Sequence, residues 1–196
     1  IHATLIDEDI RKFILCDEVG LGKTIEAINY LKYLIESNLI SSALILTPHS
    51  LQYQWFIELF RKYNLFFKSL GIDDMIELES DHDNDNFIIS SPKYLNQNQD
   101  HLASINEKKF DLIIIDEAHQ IDFKTNDYIN HKIDQSTYSI LLTATPEALG
   151  KESFLKMQET LSNNKTPYFR NRREVLEKYN KLFPEKNLIL KPIDET

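Results

Sequence analysis

The chain has 196 residues, a formal net charge of −9 and a single cysteine; 42% of it is hydrophobic and 11% aromatic. That composition is of a globular chain able to bury a sizeable core, not of a disordered one, and one cysteine excludes an internal disulfide. The acidic balance argues against a broadly basic nucleic-acid surface but leaves open a local one built from backbone N–H groups and helix N-termini.

No run approaches eighteen apolar residues, so no transmembrane helix is expected. The opening IHATLIDEDIRK has neither a basic n-region nor an apolar h-region, and no export signal is visible. Cys16 fits a reducing compartment, and no basic neighbour in sequence activates it, so it reads as an inert core thiol.

The first apolar run, Phe13-Ile14-Leu15-Cys16, leads into DEVGLGKT and then into helix-like residues 23–37. A phosphate loop normally reads G-x-x-x-x-G-K-[ST], and here Asp17 stands at the first glycine's position. The strand–loop–helix context is nevertheless the one such a loop requires. Gly20 and Gly22 let backbone N–H groups approach phosphate oxygens, and the helix N-terminus adds about half a positive charge. With Leu21 between them, the glycines, Lys23 and Thr24 form the candidate nucleotide cradle. Lys23 would reach the β- and γ-phosphates and the Thr24 hydroxyl would ligate Mg²⁺. The plainer alternative is a glycine turn that only caps a helix. Asp17 and Glu18 need not face the phosphates; they can cap loop amides or turn away.

A second buried strand, 43–47, precedes a helix over 50–63 with Leu51, Trp55, Leu59 and Phe60 at helical spacing. Trp55 and Phe56 read as core packing rather than as a base-stacking platform. Residues 77–86, ELESDHDNDN, are acidic and turn-rich. Asp81, Asp83 and Asp85 imitate the start of a calcium loop, but Asn86 replaces the required glycine and Pro92 the closing glutamate, so a solvated loop is expected.

A strand over 87–90 and a helix over 92–106 follow, then the run Leu112–Ile115, which ends in Asp116-Glu117-Ala118-His119. Carboxylates at the end of a buried parallel strand lie at the edge where α/β proteins bind ligands. Asp116 suits the holding of Mg²⁺, and Glu117 the orientation or deprotonation of an attacking water. A helix over 125–134 and a last strand over 139–142 lead to Thr143-Ala144-Thr145-Pro146, a candidate sensor of the γ-phosphate. A helix over 147–161, the charged Arg170, Arg172 and Arg173, and the run Asn187–Leu190, a further candidate strand, complete the chain. The remaining histidines show no metal-ligand spacing and read as surface residues. Near-continuous apolar strands alternating with helices predict an α/β fold: a mainly parallel, doubly wound sheet with helices on both faces.

DEVGLGKT, LILTP followed by Leu51 and Gln54-Trp55, DEAH and LLTATP occur in the order and spacing of superfamily-two helicases. The forms DE-x-GLGKT-x-EA and P-x-x-L-x-x-QW resemble the Swi/Snf-type branch, ATPases that translocate on double-stranded DNA. Within it, TATPEALG running later into YFRNRREV is most similar to the bacterial RNA-polymerase-associated, RapA-type ATPases. The resemblance implies a single RecA-like P-loop NTPase lobe over 1–196, with 163–196 an exit segment towards a second lobe that carries arginine fingers. It implies phosphate binding by Gly20, Gly22, Lys23 and Thr24, Mg²⁺ organisation by Asp116 and water activation by Glu117. His119, Thr143 and Thr145 would couple the nucleotide to the nucleic-acid face. Thr47, Pro48, Ser90 and Ser91 would lie along a tracked strand's phosphates, although the serines also read as strand-end caps.

ATP and Mg²⁺ are the implied cofactors. Duplex DNA is the implied partner, together with RNA polymerase or another DNA-bound protein, and the implied location is cytoplasmic, at the nucleoid, with no membrane. An arginine finger typically supplies about 10³–10⁵ in rate, so the lobe alone should hydrolyse ATP weakly. Three departures stand out. An adenine-recognising glutamine is not found ahead of the loop, too few residues separate Pro146 from Arg170 for a helical protrusion, and the second RecA-like lobe is missing from this chain; the family's paired arginines also appear as Arg170-Asn171. The alternatives are a strand-separating DEAH helicase or restriction motor subunit, and a non-catalytic nucleotide- or partner-binding module.

Overall fold

The computed structural model describes residues 10–18, 20–72, 85–123, 125–144, 150–161 and 168–169. Strands β1 (Lys12–Leu15), β2 (Ala43–Leu46), β3 (Lys68–Leu70), β4 (Phe87–Ser90), β5 (Leu112–Ile115), β6 (Tyr138–Leu142) and β7 (Tyr168–Phe169) form one sheet in the order β3-β4-β2-β5-β6-β1-β7. Every pairing is parallel, with Ile45 opposite Ile89 on one side and Ile114 on the other, and Ile140 between Ile114 and Phe13.

Side chains alternate across a strand, and that period of two builds two cores. Phe13, Leu15, Ile45, Ile89, Ile114 and Ile140 face helices α1 (Lys23–Glu36) and α2 (His49–Tyr63), and are packed by Ile28, Leu31, Trp55 and Leu59. Ile14, Leu44, Leu46, Ile113, Ile115 and Leu141 face the other way. There they meet α3 (Pro92–Gln97), α4 (Gln99–Glu107), α5 (Asp127–Gln135) and α6 (Gly150–Leu161) through Leu95, Ile105, Ile133 and Met157. The α/β fold with helices on both faces is therefore as the buried runs predicted. Each fully buried Ile or Leu contributes about 1.5–3 kcal/mol, so the central strands dominate stability.

Asparagine ends two of the helices. Asn38 (φ 54) and Asn64 (φ 54) adopt the left-handed conformation, and the Leu39 and Leu65 N–H groups close back onto Leu34 O and Leu59 O. Asn tolerates this conformation because its short polar side chain interacts locally.

The sequence missed two strands. β3 is short, polar and at the sheet edge, and β7 has two residues. Residues 92–106, expected as one helix, are two, because Asn98 (φ −123, ψ 87) leaves helical geometry and its Nδ2 donates to Tyr94 O. Within the expected exit segment, Tyr168–Phe169 pairs with Ile14–Leu15 and so extends the sheet. Thr145, Pro146, Arg170, Arg172, Arg173 and the run 187–190 lie outside the described residues. So do Asp81 and Asp83. Asp85 is half-exposed and paired with Lys68 at 2.6 Å and Lys108 at 3.2 Å, which hold its carboxyl below the ordinary range.

Candidate nucleotide and nucleic-acid site

A wholly parallel sheet places the C-terminal ends of its strands on one edge, where ligands of α/β proteins bind. Read across that edge, Ser90 ends β4 and Ser91 follows it, Thr47-Pro48 follow β2, Asp116-Glu117 follow β5, Thr143 follows β6 and the glycine loop follows β1. Ladder-like hydrogen bonds continue past the strands and fix these residues: Thr47 N–H to Ser90 O, Asp116 N–H to Leu46 O and Thr143 N–H to Leu15 O. β5 and β1 flank β6, so the carboxylates and the loop stand two strand spacings apart, about 10 Å.

The loop opens α1 through Gly22, whose φ of +87 is left-handed, and Gly20 has φ +79. Both conformations suit glycine, and among the described residues nothing beyond its chain neighbours lies within 4 Å of where a Gly22 Cβ would be. Lys23 is turned back into the loop: Nζ donates to Asp17 O at 2.8 Å and to Glu18 O at 3.2 Å. The odd Asp-Glu pair thus meets the lysine through its carbonyls. The Asp17 side chain is itself buried at 1% exposure and Glu18 is half-buried. Thr24 lies in the first turn of α1.

Asp17 also weighs on Glu26, one turn into α1. Burial, and then the Asp17 charge, raise the Glu26 carboxyl to about 7. Glu26 is the glutamate of the GKT-x-EA signature. The motif flagged the residue type but not its protonation, which depends on tertiary burial.

At the acidic turn, Asp116 is 7% exposed. Its Oδ1 accepts the Glu117 N–H at 2.9 Å, and its Oδ2 accepts the indole N–H of Trp55 at 2.7 Å. The sequence reading of Trp55 as core is right in burial, at 1% exposure, and incomplete in chemistry. Glu117 takes a left-handed conformation (φ 47, ψ 46) that swings the chain into a 3₁₀ turn over Ala118–Gln120. Such a conformation costs a non-glycine residue about 1 kcal/mol or more and concentrates at functional sites.

That turn brings His119 back over the sheet edge. Nδ1 makes a 3.3 Å hydrogen bond with Thr143 Oγ1 and lies 3.1 Å from Glu117 Oε2. The hydroxyl can donate or accept, whereas the carboxylate only accepts, so a bare Nδ1 accepts from Thr143 and a protonated Nδ1 donates to one of the two oxygens; Glu117 Oε2 makes no hydrogen bond among the described residues.

Beside Asp116 and Glu117 opens a cleft of about 230 Å³, lined also by Thr47, His49, Ser91 and Lys93. Thr47 is fully buried, and its Oγ1 has no hydrogen-bond partner within the described chain. The serines are already committed. Ser90 Oγ donates to Leu70 O at 3.1 Å, and Ser91 Oγ caps α3 by accepting Tyr94 N–H at 3.2 Å.

The donor set fits a nucleotide with Mg²⁺. A hydroxyl and a carboxylate are hard oxygen ligands, and Mg²⁺ is usually held by one or two carboxylates plus substrate phosphates. No group of three or more His, Cys, Asp or Glu residues able to hold a metal occurs among the described residues. No helix among them is long and apolar enough to cross a membrane.

Comparison with known proteins bears on the family and the fold. Residues 4–179 match the SNF2-related domain. The chain is 36% identical over 152 residues to the RNA polymerase-associated protein RapA of Erwinia tasmaniensis, which covers 72% of the chain and 16% of that protein. It therefore spans about a sixth of the length of the relative it matches. It superposes on the Sulfolobus solfataricus SWI2/SNF2 ATPase core domain with a TM-score of 0.61 at 24% identity, covering 81% of this chain and 32% of that one. For the same organism's SWI2/SNF2 ATPase core in complex with dsDNA, the TM-score is 0.58 at 21% identity, with 86% and 42% covered. These structural likenesses bear on the fold, whereas the domain match and the 36% identity bear on descent; the chain belongs to the SNF2-related domain family, as a Swi/Snf-type superfamily-two lobe.

Proposed function

We propose that the chain is the ATP-binding lobe of a motor that hydrolyses ATP with a second RecA-like lobe and uses it to translocate on double-stranded DNA. The observation that carries this reading is the order along the sheet edge. Nucleotide-type residues (Gly20, Gly22, Lys23 and Thr24) lie at one end and strand-contact candidates (Thr47, Pro48, Ser90 and Ser91) at the other. Asp116, Glu117, His119 and Thr143 stand between them.

In this reading Lys23 leaves the Asp17 and Glu18 carbonyls to meet the β- and γ-phosphates, whose oxygens are stronger, charged acceptors. Thr24 and Asp116 hold Mg²⁺, which supplies neutralisation of charge on the phosphates. Glu117 orients and deprotonates the attacking water from its re-aimed position. His119 and Thr143 carry the state of that site towards the cleft at Thr47. Strand phosphates are received at this cleft by the N-terminal amides of α2, with the buried Thr47 hydroxyl behind them. Thr145 would join this coupling group. For the serines, the committed hydroxyls favour a contribution through backbone.

A relative is named for association with RNA polymerase and a fold neighbour is described with dsDNA; both support a DNA-bound machine as the setting, inside the cell. The test is ATP hydrolysis by the full-length protein with no nucleic acid, single-stranded DNA or duplex DNA. Duplex should stimulate most, a triplex-displacement assay should report movement, and a forked duplex should not be separated. Strand separation would favour a DEAH-type helicase, and full-length function left untouched by Glu117→Gln would favour a non-catalytic module.

A further inference from the structure

The one tryptophan of the chain lies in α2, two helical turns beyond Pro48. Its rings pack in the core with Leu59, Ile45 and Ile114, at 1% exposure. Packing alone would be met by leucine or phenylalanine. The indole does something those residues do not: its N–H reaches the acidic turn 61 residues away and donates to Asp116 Oδ2 at 2.7 Å.

The other Asp116 oxygen accepts the Glu117 N–H. A carboxylate gripped by one donor on each oxygen has its plane and rotation fixed, and each oxygen keeps a lone-pair direction for another partner. The two donors differ in kind. The Glu117 amide belongs to the acidic turn and moves with it, whereas the indole belongs to a 15-residue helix packed on the sheet. Trp55 is therefore the external reference that sets Asp116 relative to the sheet.

We propose that Trp55 is a positioning residue for the metal-holding carboxylate: its N–H fixes the Asp116 orientation in which Mg²⁺ is bound with the nucleotide. The inference rests on the reading of Asp116 as the Mg²⁺-holding residue. Groups that orient a ligating side chain in this way are worth about 10–100-fold in metal affinity or activity.

The test uses the full-length protein with a non-hydrolysable ATP analogue, and Mn²⁺ as a spectroscopic stand-in for Mg²⁺. Trp55 is replaced by β-(3-benzothienyl)alanine, which keeps the bicyclic shape and lacks the N–H, and separately by phenylalanine (Trp55→Phe). Asp116→Asn is the reference. Mn²⁺ affinity, followed by electron paramagnetic resonance, should fall about tenfold or more in the benzothienyl protein. Affinity for the analogue measured in EDTA should stay at the wild-type value, which a general loosening of the core would not allow. Trp55→Phe should show the same metal defect plus a lower melting temperature from its lost volume. If the benzothienyl protein binds Mn²⁺ as wild type does while Asp116→Asn does not, Trp55 is packing only and the proposal is overturned. If Asp116→Asn also binds Mn²⁺ normally, the assignment of Asp116 fails, and the proposal falls with it.

Discussion

The His119 ring nitrogen Nδ1 bonds the Thr143 hydroxyl at 3.3 Å, joining the turn after β5 to the end of β6 across 24 residues of sequence. The same nitrogen lies 3.1 Å from the Glu117 carboxylate. One imidazole thus touches both the proposed water-activating group and the segment leading towards Thr145. If it couples nucleotide state to DNA, His119→Ala should leave ATP affinity near wild type and reduce duplex stimulation of hydrolysis about tenfold. Thr143→Val, which keeps the shape and removes the hydroxyl, should act in the same direction. Steady-state ATPase rates with and without duplex check this; equal loss of basal and stimulated rates would assign His119 to the chemistry instead.

Lys23 and Glu117 should fail differently. Lys23→Met removes the ammonium that the loop now holds on the Asp17 and Glu18 carbonyls. It should weaken ATP binding and cut hydrolysis by about 10² or more, as loss of a charge-stabilising donor does. Glu117→Gln keeps size and should retain binding while hydrolysis falls by about 10²–10⁴, the usual worth of general base catalysis. Fluorescent-nucleotide titration beside single-turnover hydrolysis separates the two patterns. A Glu117→Gln protein that hydrolyses ATP normally would remove that residue from the mechanism.

Glu26 makes a prediction about pH. Burial and the neighbouring Asp17 raise its carboxyl to about 7 from an ordinary value near 4.5. The folded state therefore favours the protonated form, and ionisation costs stability as pH rises from about 4.5 to about 7, with no further loss above. Glu26→Gln abolishes that loss. Its melting temperature should exceed the wild-type value at pH 8 and approach it at pH 5. Melting curves at the two pH values decide the sign. A variant destabilised equally at both would show that the ionised carboxylate is held by partners rather than merely tolerated.

These cases mark what was legible in the sequence. The strand pattern and the motif order predicted five parallel strands and their shared functional edge, because strands buried on both faces need continuous apolar runs. β3 was not legible, since a three-residue edge strand carrying Lys68 and Ser69 has one flank in solvent and no reason to be apolar. The break at Asn98 was hidden for a different reason: the residues on both sides read as helical, and the backbone at Asn98 (φ −123, ψ 87), with its side-chain bond to Tyr94 O, shows where one helix ends. The site residues were legible as types at spacings. The Trp55–Asp116 bond and the Glu26 protonation were not, because each depends on groups far apart in sequence meeting in a buried place.

At the sheet edge opposite the site, Asp111 ties the entry of β5 to the entry of β2. Its Oδ2 accepts the N–H groups of Ser41 and Ser42 at 2.8 and 3.1 Å, and both serine hydroxyls at 3.1 Å. Burial alone would push this carboxyl up, but those four hydrogen bonds outweigh it and hold the group below its ordinary value. A carboxylate depressed in the folded state contributes stability above its unfolded value, near 3.9, and loses it as pH falls through the folded value. Asp111→Ala should therefore cost about 1–2 kcal/mol at pH 7, the range for hydrogen bonds to a charged group that is partly solvated. In a chain of this size that is a drop of several degrees in melting temperature. The gap between variant and wild type should narrow steadily below about pH 4 as the wild-type carboxylate is neutralised. Function offers a second handle, because Asp111 lies at the far end of β5 from Asp116 and touches none of the proposed machinery. ATP affinity at 25 °C should be unchanged in Asp111→Ala. A large loss of ATP binding in a folded variant would mean that β5 transmits strain along its length, contrary to a rigid sheet that only positions the site.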